Sequence, residues 1–345
     1  MVRQADESLR LLNLAGELIP SIEWFVYALV RKEALLSAQI EGTQATLTDL
    51  LQQDSKGEAP NDADLQEVCC YLDVLNCGWQ ELEKKDGLPI SMRLLSETHQ
   101  RLLSNSRGQG KQPGRIRSSQ NWTGGTRPGN ASFVPPSPEE LPKLLSEFEQ
   151  YVHAPSDLHP IVRVGLLHAQ FETLHPYLDG NGRLGRLLIT LLLKYWGLLS
   201  RPLLYISLFL KTHRHEYFRR LDRIRSHGQW EEWLAFFLEG IASVADESVT
   251  TAKSLHAIVS RHRAKLVKLS EATVLSLRLF EALPKSLVLN TSRALELLDC
   301  SRPAAAKAIG ILEKAEILCP RDGRKKDRVF VYRDYVDLLS EGTEG

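Results

Sequence analysis

The chain of 345 residues balances 43 lysines and arginines against 43 aspartates and glutamates, a formal net charge of zero, and is 43% hydrophobic. This is the composition of a globular chain of about two to three domains, without the surplus charge that would grip bulk nucleic acid or an anionic membrane. Cys69 and Cys70 are adjacent while Cys77, Cys300 and Cys319 are scattered; this is neither a zinc nor a disulfide spacing, and it fits the cytoplasm.

Met1 to Glu7 holds no apolar signal region. Helical periodicity follows: a first helix over about Ala5 to Leu18, stopped near Pro20, and a second from Glu23 to about Ile40, with Gly42 on its C-terminal side. Near the end of the second, Ser37 and Glu41 are four residues apart and share a face. An acid at a helix C-terminus opposes the macrodipole, so Glu41 calls for a cationic partner. The polar stretch Gln53 to Asp62 reads as a loop, and Leu65 to Leu82 and Ser91 to Leu103 as further helices. Ser104 to Pro138 is dense in Gly, Pro, Asn and Ser, with hairpin or turn signals at Gly124-Gly125 and Pro128-Gly129. Ile161, Val164, Leu167 and Phe171 mark a helix to Leu174, which Pro176 cannot continue, so His175 is held at its end. His168 and Glu172 invite a metal reading, but no third ligand has fitting spacing.

The stretch His175-Pro176-Tyr177-Leu178-Asp179-Gly180-Asn181-Gly182-Arg183-Leu184-Gly185-Arg186 carries the chemistry. A Gly-Asn-Gly turn opening a helix leaves backbone N–H groups facing outward, a ready anion site. Cations in a first helical turn oppose the dipole, so Arg183 and Arg186 are misplaced unless an anion sits among them. Leu184, Leu187, Leu188, Leu191 and Leu192 form the buried face of that helix, which stops by Gly197. The apolar tract Leu187 to Leu210 is broken by Lys194 and Arg201-Pro202, which makes it two buried helical pieces and no membrane span. Tyr217 follows on another helix, as a core aromatic or a lining residue.

From about Ala272 the rhythm changes. Helices are expected over Thr273 to Leu283, Thr291 to Leu298, and from the N-cap Ser301 to about Ala315. Two β-prone runs follow, Ile317 to Cys319 and Val329 to Tyr332, joined by the basic stretch Arg321 to Arg328. This order resembles a winged helix-turn-helix module. DNA contact through 271–340 is open, because the third helix offers little beyond Arg302 and Lys307 to read base edges; protein binding or self-association is equally open.

The 175–186 string resembles the signature of the Fic (Fido) family of ATP-dependent protein adenylyltransferases, with Tyr177 where that family more often has phenylalanine. The resemblance implies a mainly α fold: a Fic-type helical core with a small β-hairpin flap, followed by the winged-helix module. The domains would be an N-terminal helical region 1–88, a catalytic core 89–240, a helical linker 241–270 and the winged helix 271–340. His175 would be the general base toward a Ser, Thr or Tyr hydroxyl of a target protein, an imidazole suiting that task. Asp179 would hold Mg²⁺, and the Gly180-Asn181-Gly182 backbone would cradle the phosphates of ATP, with Leu184 and Gly185 also among the nucleotide-binding residues. Arg183 and Arg186 would neutralise the β- and γ-phosphates. Tyr217 would line the adenine pocket, and Thr123 and Gly125 in the flap would be nucleotide-side contacts. Ser37, Glu41 and Gly42 match the family's inhibitory motif, in which Glu41 pairs with Arg186 and leaves ATP a non-productive pose. Transfer of another phosphate-containing group, removal of AMP, and a nucleotide-sensing transcription regulator are the alternatives, and a homodimer is compatible with the family.

Overall fold

A computed structural model of the chain describes residues 1–18, 22–56, 60–104, 107–321 and 328–344. The loop tip at 57–59, the stop at Pro20 and the basic run 322–327 lie outside the described residues. The mainly α expectation holds: fifteen α-helices and one small antiparallel sheet are found among the described residues.

The centre is α8 (Asn181–Tyr195), apolar almost all round, with Leu184, Leu187, Leu188, Ile189, Leu191, Leu192 and Leu193 fully buried. A helix with no polar face must be enclosed on every side. Its neighbours are α7 (Pro160–Leu174), α4 (Ala63–Glu83), α5 (Met92–Leu103) and the end of α2 (Ile22–Ile40). Local chemistry fixes where these start: Asp62 accepts a hydrogen bond from Leu65 N at 2.9 Å, and Ser91 one from Leu94 N at 3.2 Å. No helix among the described residues is long and apolar enough to cross a membrane.

The expected loop from Gln53 begins later than its polarity suggests, because α3 (Leu47–Lys56) runs into it. Leu47, Leu50 and Leu51 are buried at helical spacing, and this packing carries the polar end along. The boundary expected at 240/241 falls inside an unbroken helix of 38 residues, α11 (Trp230–Val267), packed along α1 (Val2–Leu18). The segment expected as a helical linker, 241–270, is helical to Val267 and packs along the N-terminal helix.

The C-terminal unit runs α12 (Val274–Ala282), β1 (Val288–Asn290), α13 (Thr291–Leu298), α14 (Arg302–Lys314), β2 (Cys319–Pro320), β3 (Val329–Val331) and α15 (Arg333–Ser340). Its sheet has the order β1-β3-β2, with Leu289 opposite Phe330 and Pro320 opposite Phe330 on the other side. The unit does not hang free. β1 packs on α3, and α15 packs on α11 and α2. Gln39 Nε2 donates to Thr343 O at 3.0 Å, tying the end of α2 to the chain's last turn.

Candidate active site

The loop between α7 and α8 is built by buried side chains that hold its backbone. His175 ends α7 with φ 47°, a left-handed conformation that a non-glycine residue adopts only under constraint. The constraint is visible. Arg117, almost fully buried, donates from Nε to His175 O at 2.9 Å and from its backbone N to Pro176 O at 2.9 Å. Asn181 Oδ1 accepts from Tyr177 N at 2.9 Å and its Nδ2 donates to Tyr177 O at 2.8 Å, closing the turn. On the other flank, Gly114 N donates to His99 Nδ1 at 2.8 Å, so His99 Nε2 carries the proton given to Asp179 O at 2.9 Å. The His99 ring stacks on Tyr177 at 3.8 Å between centroids, and burial pushes its pKa down to about 4, which keeps that tautomer neutral.

The start of α8 faces the opposite requirement. Gly180 is its N-cap with φ 74°, so the N–H groups of the first turn have no intrahelical partner. Arg186, fully buried, gives Nε to Ser37 Oγ at 2.9 Å and Nη2 to Ser37 O and to Glu41 Oε1, both at 2.8 Å. The Glu41 carboxylate lies so close over Gly182 that any β-carbon there would overlap Oε1. Arg183 stands 3.3 Å from Glu67 Oε2 and 3.9 Å from Asp179 Oδ1, without hydrogen-bond geometry at its Nε or Nη1. Arg183 Nε and Nη1, Arg186 Nη1, Glu172 Oε1 and His175 Nδ1 are all buried without a hydrogen-bond partner among the described residues. Most buried polar atoms are paired. This concentration at one helix start marks a site shaped for a polar ligand.

Charge follows from this enclosure. Burial, reinforced by Arg225, pushes the His175 imidazole down to about 4, so it is neutral and able to accept a proton near pH 7. Burial works against the Glu41 charge, but Arg186 and Arg183 outweigh it and hold the carboxyl below its ordinary range. Glu172, whose Oε1 crowds Gly185, is pushed by burial up to about 7.

Other expected site residues sit deeper. Leu184 is fully buried and gives its N–H to Gly180 O at 3.0 Å; Gly185 packs on Glu172, and its carbonyl accepts from His168 Nδ1. Both are buried positions of α8. Tyr217 is fully buried, its hydroxyl 2.9 Å from His168 Nε2 and its ring beside Trp233, the placement of a core aromatic. His168 is thereby fully used in structure. Thr123 forms a single antiparallel bridge with Phe133, its bonds running within the flap, and Gly125 is exposed at the flap tip. The expected hairpin is thus one bridge around a short 3₁₀ turn at Pro128–Asn130. Sequence reading missed Glu67, His99, Arg117, Glu172 and Arg225. Only Glu172 carried a signal, its i+4 spacing from His168.

Asp179 tests the expectation of Mg²⁺. Its Oδ1 accepts from Gly180 N at 2.6 Å, and its side chain is about half exposed at the rim of the cradle. No cluster of three metal-ligating side chains exists among the described residues. A single carboxylate fits an ion whose other ligands are substrate phosphates and water, the habit of Mg²⁺, and does not fit a cage built wholly from protein.

Fold and loop together define a helical protein with a buried, neutral imidazole beside an uncapped helix start. Comparisons with known proteins carry this further. Residues 89–193 match the Fic/DOC family and residues 1–80 the Fic/DOC family N-terminal region. The chain belongs to the Fic/DOC family. Protein adenylyltransferase Fic of Nematostella vectensis is 32% identical over 157 residues, 45% of this chain and 33% of that protein. Its counterpart in Culex quinquefasciatus is 30% identical over 152 residues, 44% of this chain and 27% of that one. The chain therefore spans a third or less of these relatives' length. Among solved structures, a Fic family protein from Desulfovibrio desulfuricans G20 shares the fold with a TM-score of 0.56 at 19% identity, over 96% of each chain. Fic-1 (residues 134–508) of Caenorhabditis elegans gives 0.54 at 23% identity, over 76% of this chain and 72% of that one.

Proposed function

We propose that the protein is an autoinhibited adenylyltransferase that moves AMP from ATP to a hydroxyl of a protein target. The observation that carries this reading is the cluster of unpaired buried polar atoms at the start of α8 beside a neutral His175; the relatives named protein adenylyltransferase support it. In the reaction, the target's Ser, Thr or Tyr oxygen attacks the α-phosphorus, its proton passes to the His175 imidazole, and the bond to the β-phosphate oxygen breaks to release pyrophosphate. The first-turn N–H groups of α8 with Arg183 receive the charge that builds on the leaving phosphates. Mg²⁺ held at Asp179 would neutralise further phosphate charge.

Glu41 sets the inhibition. It occupies Arg186, the cation suited to the terminal phosphate, and covers Gly182, so a triphosphate meets a carboxylate where its γ-phosphate should rest. Ser37 fixes the arginine in that pose from both its hydroxyl and its carbonyl. The flap would align the target by main-chain pairing, a recognition mode that favours accessible hydroxyls over a fixed sequence. The C-terminal unit reads as a winged helix whose surface serves protein or DNA contact.

The test is intact-mass measurement of the chain incubated with ATP and Mg²⁺. Glu41→Gly should add adenylyl increments at least tenfold faster than the native chain, and Glu41→Gly/His175→Ala at least a hundredfold slower than Glu41→Gly. Equal rates in the native and Glu41→Gly chains would remove the inhibitory reading, and labelling undiminished by the loss of His175 would remove its role as base.

A further inference from the structure

Two arginines distant in sequence meet at the end of α7, and each reaches from there into the flap. Arg117 does so from the flap's own base: Nε binds His175 O, and Nη2 donates to Pro136 O at 2.5 Å. Arg225 does so from α10 (Arg214–His227). Its Nη2 donates to Glu172 O at 3.0 Å, and its Nε to Thr173 Oγ1 at 3.3 Å. Its guanidinium carbon lies 3.8 Å from the centre of the Phe133 ring. Phe133 is the residue whose backbone forms both bonds of the flap's single bridge, Thr123 N to Phe133 O at 2.9 Å and Phe133 N to Thr123 O at 3.2 Å.

We propose that Arg225 is a positioning residue that fastens the flap to the helix end carrying His175, so that a chain paired on the flap is held in register with the base. The assignment rests on the adenylyltransferase reading for its purpose, but not for its geometry. A planar guanidinium suits the task where an ammonium does not: its edge gives directed bonds to a carbonyl and a hydroxyl while its face covers an aromatic ring. A cation at the last carbonyls of α7 also complements the helix dipole. The flap needs such a fastener, since one bridge gives it little order of its own. Trp122 and Val134, flanking the bridge, are 38% and 42% exposed, so the flap is not buried beneath other elements. The same cation faces the His175 imidazole together with Arg117, Glu41 and Glu172, and it discourages a proton there.

The experiment uses the full chain without nucleotide, so its outcome is independent of whether the protein transfers AMP. Amide hydrogen exchange at Thr123 and Phe133 and the NMR titration of the His175 ring are measured in native, Arg225→Lys, Arg225→Met and Phe133→Leu chains. Both Arg225 variants and Phe133→Leu should raise exchange at the two amides at least tenfold. The His175 pKa should rise in Arg225→Met, and stay near the native value in Arg225→Lys, which keeps the charge, and in Phe133→Leu, which keeps the arginine. Phe133→Leu alters only a half-buried flap side chain and keeps the test valid should an Arg225 variant fold poorly. Native exchange rates at Thr123 and Phe133 in the Phe133→Leu chain, or a His175 titration unmoved in folded Arg225→Met, would overturn the proposal.

Discussion

The loop between α7 and α8 and the tip of α2 meet at Arg186, and they are held in opposite ways. The loop is locked from beneath: Asn181, His99 and Arg117, all nearly or wholly buried, bind its backbone, Asn181 and Arg117 at two atoms or more and His99 at one. Past the buried Ala38 and Ile40 the tip of α2 comes to the surface. Glu41 keeps 39% of its side chain exposed while its partner Arg186 keeps 1%. Around it the backbone is tied by a short set of polar contacts, Arg214 Nε to Ile40 O at 3.0 Å and Gln39 Nε2 to Ala45 O and Thr343 O, both at 3.0 Å. The lesson is mechanical. A site that must fix developing charge is built rigid, whereas the group that blocks it is held by contacts that water or another anion can replace.

That contrast can be broken or sharpened by substitution. The largest effect belongs to His175→Ala in the Glu41→Gly background, where transfer should fall by about 10²–10⁴-fold while nucleotide binding is kept, since a base acts in the transition state. Intact-mass rates alongside calorimetry separate the two; a parallel loss of binding would mean the histidine shapes the cradle. Next in size is Asn181→Ala. It strips Tyr177 N of its acceptor inside a buried turn, at a cost of about 1–3 kcal/mol in denaturant unfolding. An unchanged midpoint would show the loop to be no more rigid than the tip.

The smallest effect concerns pH. The folded chain holds the Glu172 proton up to about 7, while an unfolded glutamate releases it near 4.3. Between those values the folded state binds more protons, so the group's contribution is fully present at low pH and is lost as pH rises through 7. Glu172→Gln, which copies the neutral acid, should flatten that slope and be more stable than the native chain at pH 8, by up to about 3 kcal/mol. Urea unfolding at pH 5 and pH 8 reads this, and identical slopes in both chains would place the charge of Glu172 in contact with water.

Much of this was legible in the sequence because it depends on local patterns. Helix α8 and its cap followed from the glycines and leucines of 180–192; the charge on the wrong end of a helix called only for a cationic partner at Glu41, and it was the resemblance of 37–42 to the family's inhibitory motif that named Arg186. What stayed hidden depends on contacts between distant segments. His99 reaches Asp179 and Arg117 reaches His175 across the fold, and no spacing announces either. Tyr217 had two readings that only burial separates. Strand β1 and helix α15 are too short to declare themselves by periodicity, and the end of α3 was helical against its polarity because Leu50 and Leu51 are packed.

The central claim is that Glu41 competes with a terminal phosphate for Arg186. Calorimetric titration of native and Glu41→Gly chains with Mg²⁺-ATP and with Mg²⁺-ADP tests it directly. Removing the carboxylate should tighten ATP binding at least tenfold and leave ADP within about twofold, because only ATP carries the phosphate that takes its place. Equal gains for both nucleotides, or none for either, would contradict the account.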